Sequence, residues 1–157
     1  MALALSLFFT GTLVYAEEKL AYVNVEQLLR EYKKAKEYDK LAEKKQKDYE
    51  KERQEKVDEI KNLQKKISLL SEEERETRRK ELEDKIAQLQ QFDRSSNQDF
   101  RKEMGEKSRE IRRDIEKSIQ AYAKKEGLTF VFDRRALLYE NESLDITDEI
   151  LRILNKK

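Results

Sequence analysis

The sequence predicts a mainly α protein with a small β body: a long antiparallel helical hairpin arm projecting from a short-stranded oligomeric β-barrel. Three observations predict it. Charged residues fill 44% of the 157 positions, with three Gly and no Pro, so the chain is rich in helix formers and poor in obligatory breaks. The 35 basic and 34 acidic residues are intermixed, leaving a formal net charge of +1; that balance argues against disorder. Against this polar background, "LTFVFDRRALLY" (Leu128 to Tyr139) packs eight apolar residues into twelve positions.

The first sixteen residues, "MALALSLFFTGTLVYA", carry no charge and give way abruptly to Glu17-Glu18-Lys19. With Val14 and Ala16 at the positions a signal peptidase reads, they form a secretory signal cleaved after Ala16, although a basic n-region is missing. Sixteen residues are too few to span a membrane comfortably, which opposes a retained anchor.

The mature chain opens with a short strand, residues 19–23, with Leu20 and Tyr22 on one face and Ala21 and Val23 on the other. Asn24 is placed to cap a helix, with Gln27 three residues on to reach back to it. Val23 and Leu28 are spaced for a hydrophobic staple. An apolar stripe then runs from Val25 through Leu28, Leu29, Tyr32, Ala35, Tyr38 and Leu41 to Ala42, predicting one helix. From Glu43 to Lys56 the stripe lapses: eleven of fourteen residues are charged, and Tyr49 is the one aromatic. It returns at Val57, Ile60, Leu63, Ile67 and Leu70.

Ser71 followed by Glu74 is a second capping box, with acids filling the first turn. This sets a reversal near residues 70–71, in preference to one unbroken helix of about a hundred residues at roughly 1.5 Å each. The returning stripe runs from Leu82 through Phe92, weakens at Ser95-Ser96-Asn97, and recovers from Phe100 to Ala123. Gly127 stands where a C-cap belongs.

Beyond it the period changes. Leu128, Phe130 and Phe132 alternate with Thr129 and Val131, as in a strand. "ALLY" (Ala136 to Tyr139) reads as a second strand, Arg134-Arg135 as the turn between them, and "LDI" (Leu144 to Ile146) as a short third. Thr147 is placed to cap a last amphipathic helix carrying Ile150, Leu151, Ile153 and Leu154.

Residues 17–30 and 118–157 thus form a body of about fifty residues and 31–117 an arm, with 1–16 removed. A body that small needs disulfides, metal or association for stability. The chain has no Cys and no His, which closes the first two routes. Association remains, and would close the open strand edges into a barrel. Tyr22, Phe130, Phe132, Leu137 and Tyr139 are the expected oligomer interface.

The paired ends resemble the Skp/OmpH family of periplasmic chaperones. The resemblance rests on Ala21-Tyr22-Val23-Asn24, Val131-Phe132-Asp133, Leu137-Leu138-Tyr139, and Asp145-Ile146-Thr147-Asp148-Glu149-Ile150-Leu151. The arms match in character alone. The resemblance implies a homotrimer whose three hairpins hang from a shared β-barrel around a cavity. It further implies an ATP-independent periplasmic holdase that keeps unfolded outer-membrane proteins from aggregating there. Well-studied members are strongly basic, whereas this chain is near neutral.

Several residue types bear on that function. Tyr32, Tyr38 and Tyr49 are candidate client contacts, against the plainer reading that they pack within the stripe. Arg78 and Arg79 lie in a local basic excess near the reversal, suited to anionic lipid headgroups or an acidic client segment, against the plainer reading of a solvated face. Residues 24–70 carry 14 basic and 11 acidic side chains, and 71–126 carry 15 of each. A nucleic-acid binder would show a larger continuous excess. Gly105 and Gly127 stand alone, so no phosphate-cradling loop is present, and no cofactor is expected. Asn141-Glu142-Ser143 matches a glycosylation sequon of low specificity. Asp145, Asp148 and Glu149 suit the start of a helix better than a cation site. No nucleophile–base pair or convergent acidic pair points to an enzyme. The alternative function class is a secreted coiled-coil spacer or adaptor for a folded partner; the lapse at Glu43–Lys56 opposes it, because a dedicated coiled coil sustains its heptads.

Overall fold

The structure, a computed structural model, describes residues 18–156; the expected leader and the expected cleavage after Ala16 lie outside the described residues. Strand β1 (Leu20–Val23) and strand β2 (Phe130–Asp133) form a two-stranded parallel sheet. Leu20 pairs with Phe130, and Val23 with Asp133. A parallel pair needs a long crossover in place of a tight turn. Here the crossover is the entire arm.

The hydrogen bonds at the start of the first helix differ from expectation. Helix α1 (Val25–Glu31) begins where the Asn24 carboxamide accepts from Gln27 N–H at 3.0 Å. The return bond to the Asn24 N–H comes from Thr147, whose Oγ1 accepts it at 2.8 Å, and not from Gln27. Val23 and Leu28 are both buried in one cluster, as a staple requires.

The single helix expected over Val25–Ala42 is broken at Tyr32, whose ψ is 122°. Helix α2 (Lys33–Ser68) starts immediately after it. Neither Gly nor Pro is involved. The cause is Asn155 of the last helix: its Oδ1 accepts the Lys33 N–H at 2.9 Å, taking the place of an intrahelical carbonyl.

At the far end α2 closes through Leu69 N–H to Lys66 O (3.1 Å) and Leu70 N–H to Ile67 O (3.2 Å). Helix α3 (Glu72–Glu126) then opens with the Ser71 N–H donating to the Glu74 carboxylate at 3.2 Å. Its 55 residues reach about 83 Å at the helical rise, and the 36 of α2 about 54 Å. Gly127 ends α3 in the left-handed region (φ 66°), where a residue without Cβ is unstrained.

The C-terminal tail departs from the expected strands. Asp133 accepts the Arg135 N–H at 3.1 Å and turns Arg134–Ala136 into a 3-10 turn. Asn141 does the same for Glu142–Leu144 by accepting from Ser143 N–H at 3.1 Å. Such side-chain-to-backbone bonds compete with strand pairing. "ALLY" is therefore not a strand and Arg134-Arg135 is not a hairpin turn. "LDI" contributes only a bridge between Asp145 and Tyr22, with Ile146 N–H donating to Tyr22 O at 3.0 Å.

Helix α4 (Thr147–Lys156) packs Ile150 and Leu154 inward. Thr147 is its first helical residue, not its cap; the Asp145 carboxylate accepts the Thr147 N–H at 2.8 Å. The core comprises Ala21, Val23, Leu28, Tyr32, Ala35, Ile111, Ile115, Ile146, Ile150 and Leu154. All lie where β1, α1, α4 and the body ends of α2 and α3 meet.

Candidate functional site

The body leaves part of one face of its sheet uncovered. Phe130 is 52% exposed and Phe132 42%, their rings 6.1 Å apart, with exposed Leu20 beside them. Leu128 was expected on the same face. It packs instead against the core together with Val131, because β2 begins at Phe130 and the alternation restarts after the Gly127 cap. Leu137 is half-buried, whereas Leu138 and Tyr139 are exposed on the irregular tail. Of the five expected interface residues, Tyr22 alone is buried within its own chain, at 3% exposure. Segment 145–146 lies along its backbone.

The three tyrosines sit between the arm helices, each with its hydroxyl on a carboxylate of α3. Tyr32 is buried and donates to Asp114 at 3.2 Å; half-buried Tyr38 donates to Glu110 at 2.9 Å. Tyr49 donates to Asp93 at 2.8 Å and stacks on Phe92, ring centroids 5.5 Å apart. All three side chains pack between the helices, and Tyr49 also borders a cleft there. The sequence reading missed their acidic partners. The signal was available for one pair: Tyr49 and Asp93 lie at nearly equal distances from the reversal, as antiparallel helices demand, whereas the partners of Tyr38 and Tyr32 lie further along α3 than that symmetry gives.

Cations reinforce the pairing. The Lys34 Nζ lies 2.6 Å from Glu110 and 2.7 Å from Asp114. The Asp114 carboxylate, and next Glu110, push the Lys34 ammonium well above the usual lysine range. Lys34 first, and then the Tyr38 hydroxyl, hold Glu110 below the usual carboxylate range. Lys45–Glu103 (2.5 Å), Arg53–Asp93 (3.2 Å) and Lys85–Glu59 (2.8 Å) continue the ladder toward the tip. These pairs are partly exposed, so each adds little alone, and their value is register.

Arg78 and Arg79 are exposed near the tip but not free. Arg78 pairs with Glu81 at 2.6 Å and Arg79 with Glu76 at 3.1 Å, both within α3. Leu69 at the reversal is exposed. In the tail, Arg134 forks onto Glu140, and Arg135 pairs with Asp133 at 2.7 Å. Among the described residues, no group of three or more acids is placed to hold a metal ion, and no helix is long and apolar enough to cross a membrane.

The geometry combines an uncovered apolar sheet face with a long arm held in register by its own polar side chains. A solved structure shares this fold: that of a candidate outer membrane chaperone (OmpH-like) from Caulobacter crescentus CB15. It matches with a TM-score of 0.80 at 16% identity, over 96% of this chain and 91% of that one. No curated protein sequence matches. Residues 19–154 match the family described as Outer membrane protein (OmpH-like). That match takes in the body and the arm, and the chain belongs to this OmpH-like family.

Proposed function

We propose that this chain is an ATP-independent periplasmic holdase, delivered by a signal cleaved after Ala16, that binds unfolded outer-membrane β-barrel proteins between its arms. The observation that carries the reading is the uncovered apolar face of Leu20, Phe130 and Phe132 at the base of a long polar arm. A two-stranded sheet is not stable alone, and an apolar face with open edges is a template for pairing. Self-association through this face, with Leu137 and Tyr139 beside it and Tyr22 supporting it from within, completes the body as a shared barrel. The arms of three copies then project together and enclose a cavity.

Inside it, an unfolded client meets many charges and scattered apolar atoms but no single deep groove. Weak, numerous contacts suit varied clients whose exposed strands would otherwise aggregate, and they permit release without an energy source. The tip, with Leu69 exposed and Arg78 and Arg79 close by, suits contact with anionic headgroups.

The test is to dilute a urea-unfolded outer-membrane barrel protein into buffer with and without the chain, in the absence of ATP. The soluble client fraction should rise with chain concentration and level off near three chains per client. A soluble fraction independent of the chain would reject the holdase reading and favour a structural spacer.

A further inference from the structure

Midway along the arm, about 25 Å from the break at Tyr32 by the helical rise, the two helices leave a cleft of about 270 Å³ lined by Tyr49, Phe92 and Phe100. We infer that this cleft binds one aromatic side chain flanked by Lys or Arg in an extended polypeptide segment. The inference deepens the proposed holdase function and takes the source of that segment from it.

The cleft exists because α3 is narrow there. Ser95 turns its hydroxyl to Gln91 O at 3.0 Å, and Asn97 its amide to Asp93 O at 2.7 Å. These short side chains are satisfied on their own helix and do not cross to α2, which is charged at most of the facing positions. Two residues of the weak zone, Ser96 and Asn97, line the cleft. Its walls are prebuilt: Tyr49 is fixed by Asp93 and stacked on Phe92, so binding orders little.

Size and charge select the occupant. The volume falls just below the roughly 300–1,000 Å³ of small-molecule pockets, which suits one side chain. Aromatic walls favour an aromatic ring. The rim is acidic: Asp48, Asp99, Glu52 and Glu103 line it with Lys45, and Lys56, 5.0 Å from the Phe92 ring centroid, pairs with Glu52 at 3.3 Å. Lys45 is committed to Glu103 at 2.5 Å. Among the described residues, Asp48 and Asp99 take part in no ion pair. Cations beside the ring would meet these carboxylates, while an acidic flank would be repelled. Outer-membrane strands carry aromatic girdles, so an unfolded barrel protein offers suitable rings.

The chain contains neither Trp nor Cys, which makes the test direct. Short Gly/Ser peptides carrying Lys-Trp-Lys or Glu-Trp-Glu are titrated with the chain, and Trp emission is followed. The Lys-flanked peptide should bind at least fivefold more tightly, and Ser96→Phe, which fills the cleft, should weaken it at least fivefold. Should Ser96→Phe fail to fold, Ser96→Cys serves. Its reaction with a thiol reagent should slow at least fivefold with saturating Lys-Trp-Lys peptide, while Ser68→Cys at the tip reacts unchanged. Equal binding of the two peptides, or no protection at Ser96→Cys, overturns the inference. A chain that keeps barrel protein soluble yet shows no peptide preference loses the cleft and retains the holdase. One that binds the peptide but lets the barrel protein aggregate does the reverse.

Discussion

The Asn24 backbone N–H donates to Thr147 Oγ1 at 2.8 Å across 123 residues of sequence, joining the first turn of α1 to the first turn of α4. Thr147 is 2% exposed, so no water replaces its hydroxyl. Thr147→Val keeps the shape and leaves the Asn24 donor unpaired, at a cost of about 1–3 kcal/mol. Thermal unfolding at fixed chain concentration measures it. An unchanged midpoint would mean that this bond does not hold the two ends together.

The tyrosine–carboxylate pairs predict small, local effects. Tyr32→Phe and Tyr38→Phe each remove one hydrogen bond and keep the ring, at about 0.5–1.5 kcal/mol. Neither should reduce the soluble client fraction in the dilution assay. A large loss of holding at unchanged stability would place the hydroxyls in client contact.

Ser118 has the opposite expectation. It is 1% exposed, and its hydroxyl finds no partner among the described residues. Ser118→Ala removes an unsatisfied group from the core, so stability should hold or rise by about 1 kcal/mol. Urea unfolding midpoints decide it, and a clear loss would mean that the hydroxyl is bonded in solution.

Acid should loosen the arm. Lys34 and Tyr38 hold Glu110 below its ordinary value. A depressed folded value means that the stabilisation is complete above the unfolded carboxylate value of about 4.3 and is lost as pH falls through the folded one. The thermal midpoint followed by circular dichroism should therefore drop more steeply with acid in the wild type than in Glu110→Gln. Parallel profiles would remove Glu110 from the account.

Phe132→Asp probes the proposed shared face. A carboxylate placed in a dry interface is unpaired and costly to bury. The variant should fall to a single-chain mass in light scattering while keeping its helical signal. If it keeps the wild-type mass, the exposed face is not where the copies meet.

Much of this architecture was legible because it rests on local rules. The Asn24 and Ser71 caps, the Gly127 terminus and the α2 and α3 stripes are written within a few residues of where they act. What escaped depends on distant partners. The break at Tyr32 exists because Asn155 claims the Lys33 N–H. The expected Ala136–Tyr139 strand is lost to the turn that Asp133 directs. β-Propensity marks apolar content, not pairing, so exposed Leu138 and Tyr139 read as a strand. At the candidate site, Phe130 and Phe132 were recognised by composition. The tyrosines' roles needed the register of the two helices, which fixes Asp93, Glu110 and Asp114 opposite them.

The most direct test of the central claim is a mass. The chain from Glu17 to Lys157 is mixed with a urea-unfolded outer-membrane barrel protein on dilution, and the soluble species is weighed by light scattering coupled to size exclusion. The account predicts one species containing three chains and one client. A chain that elutes at its own unchanged mass beside aggregated client would contradict it.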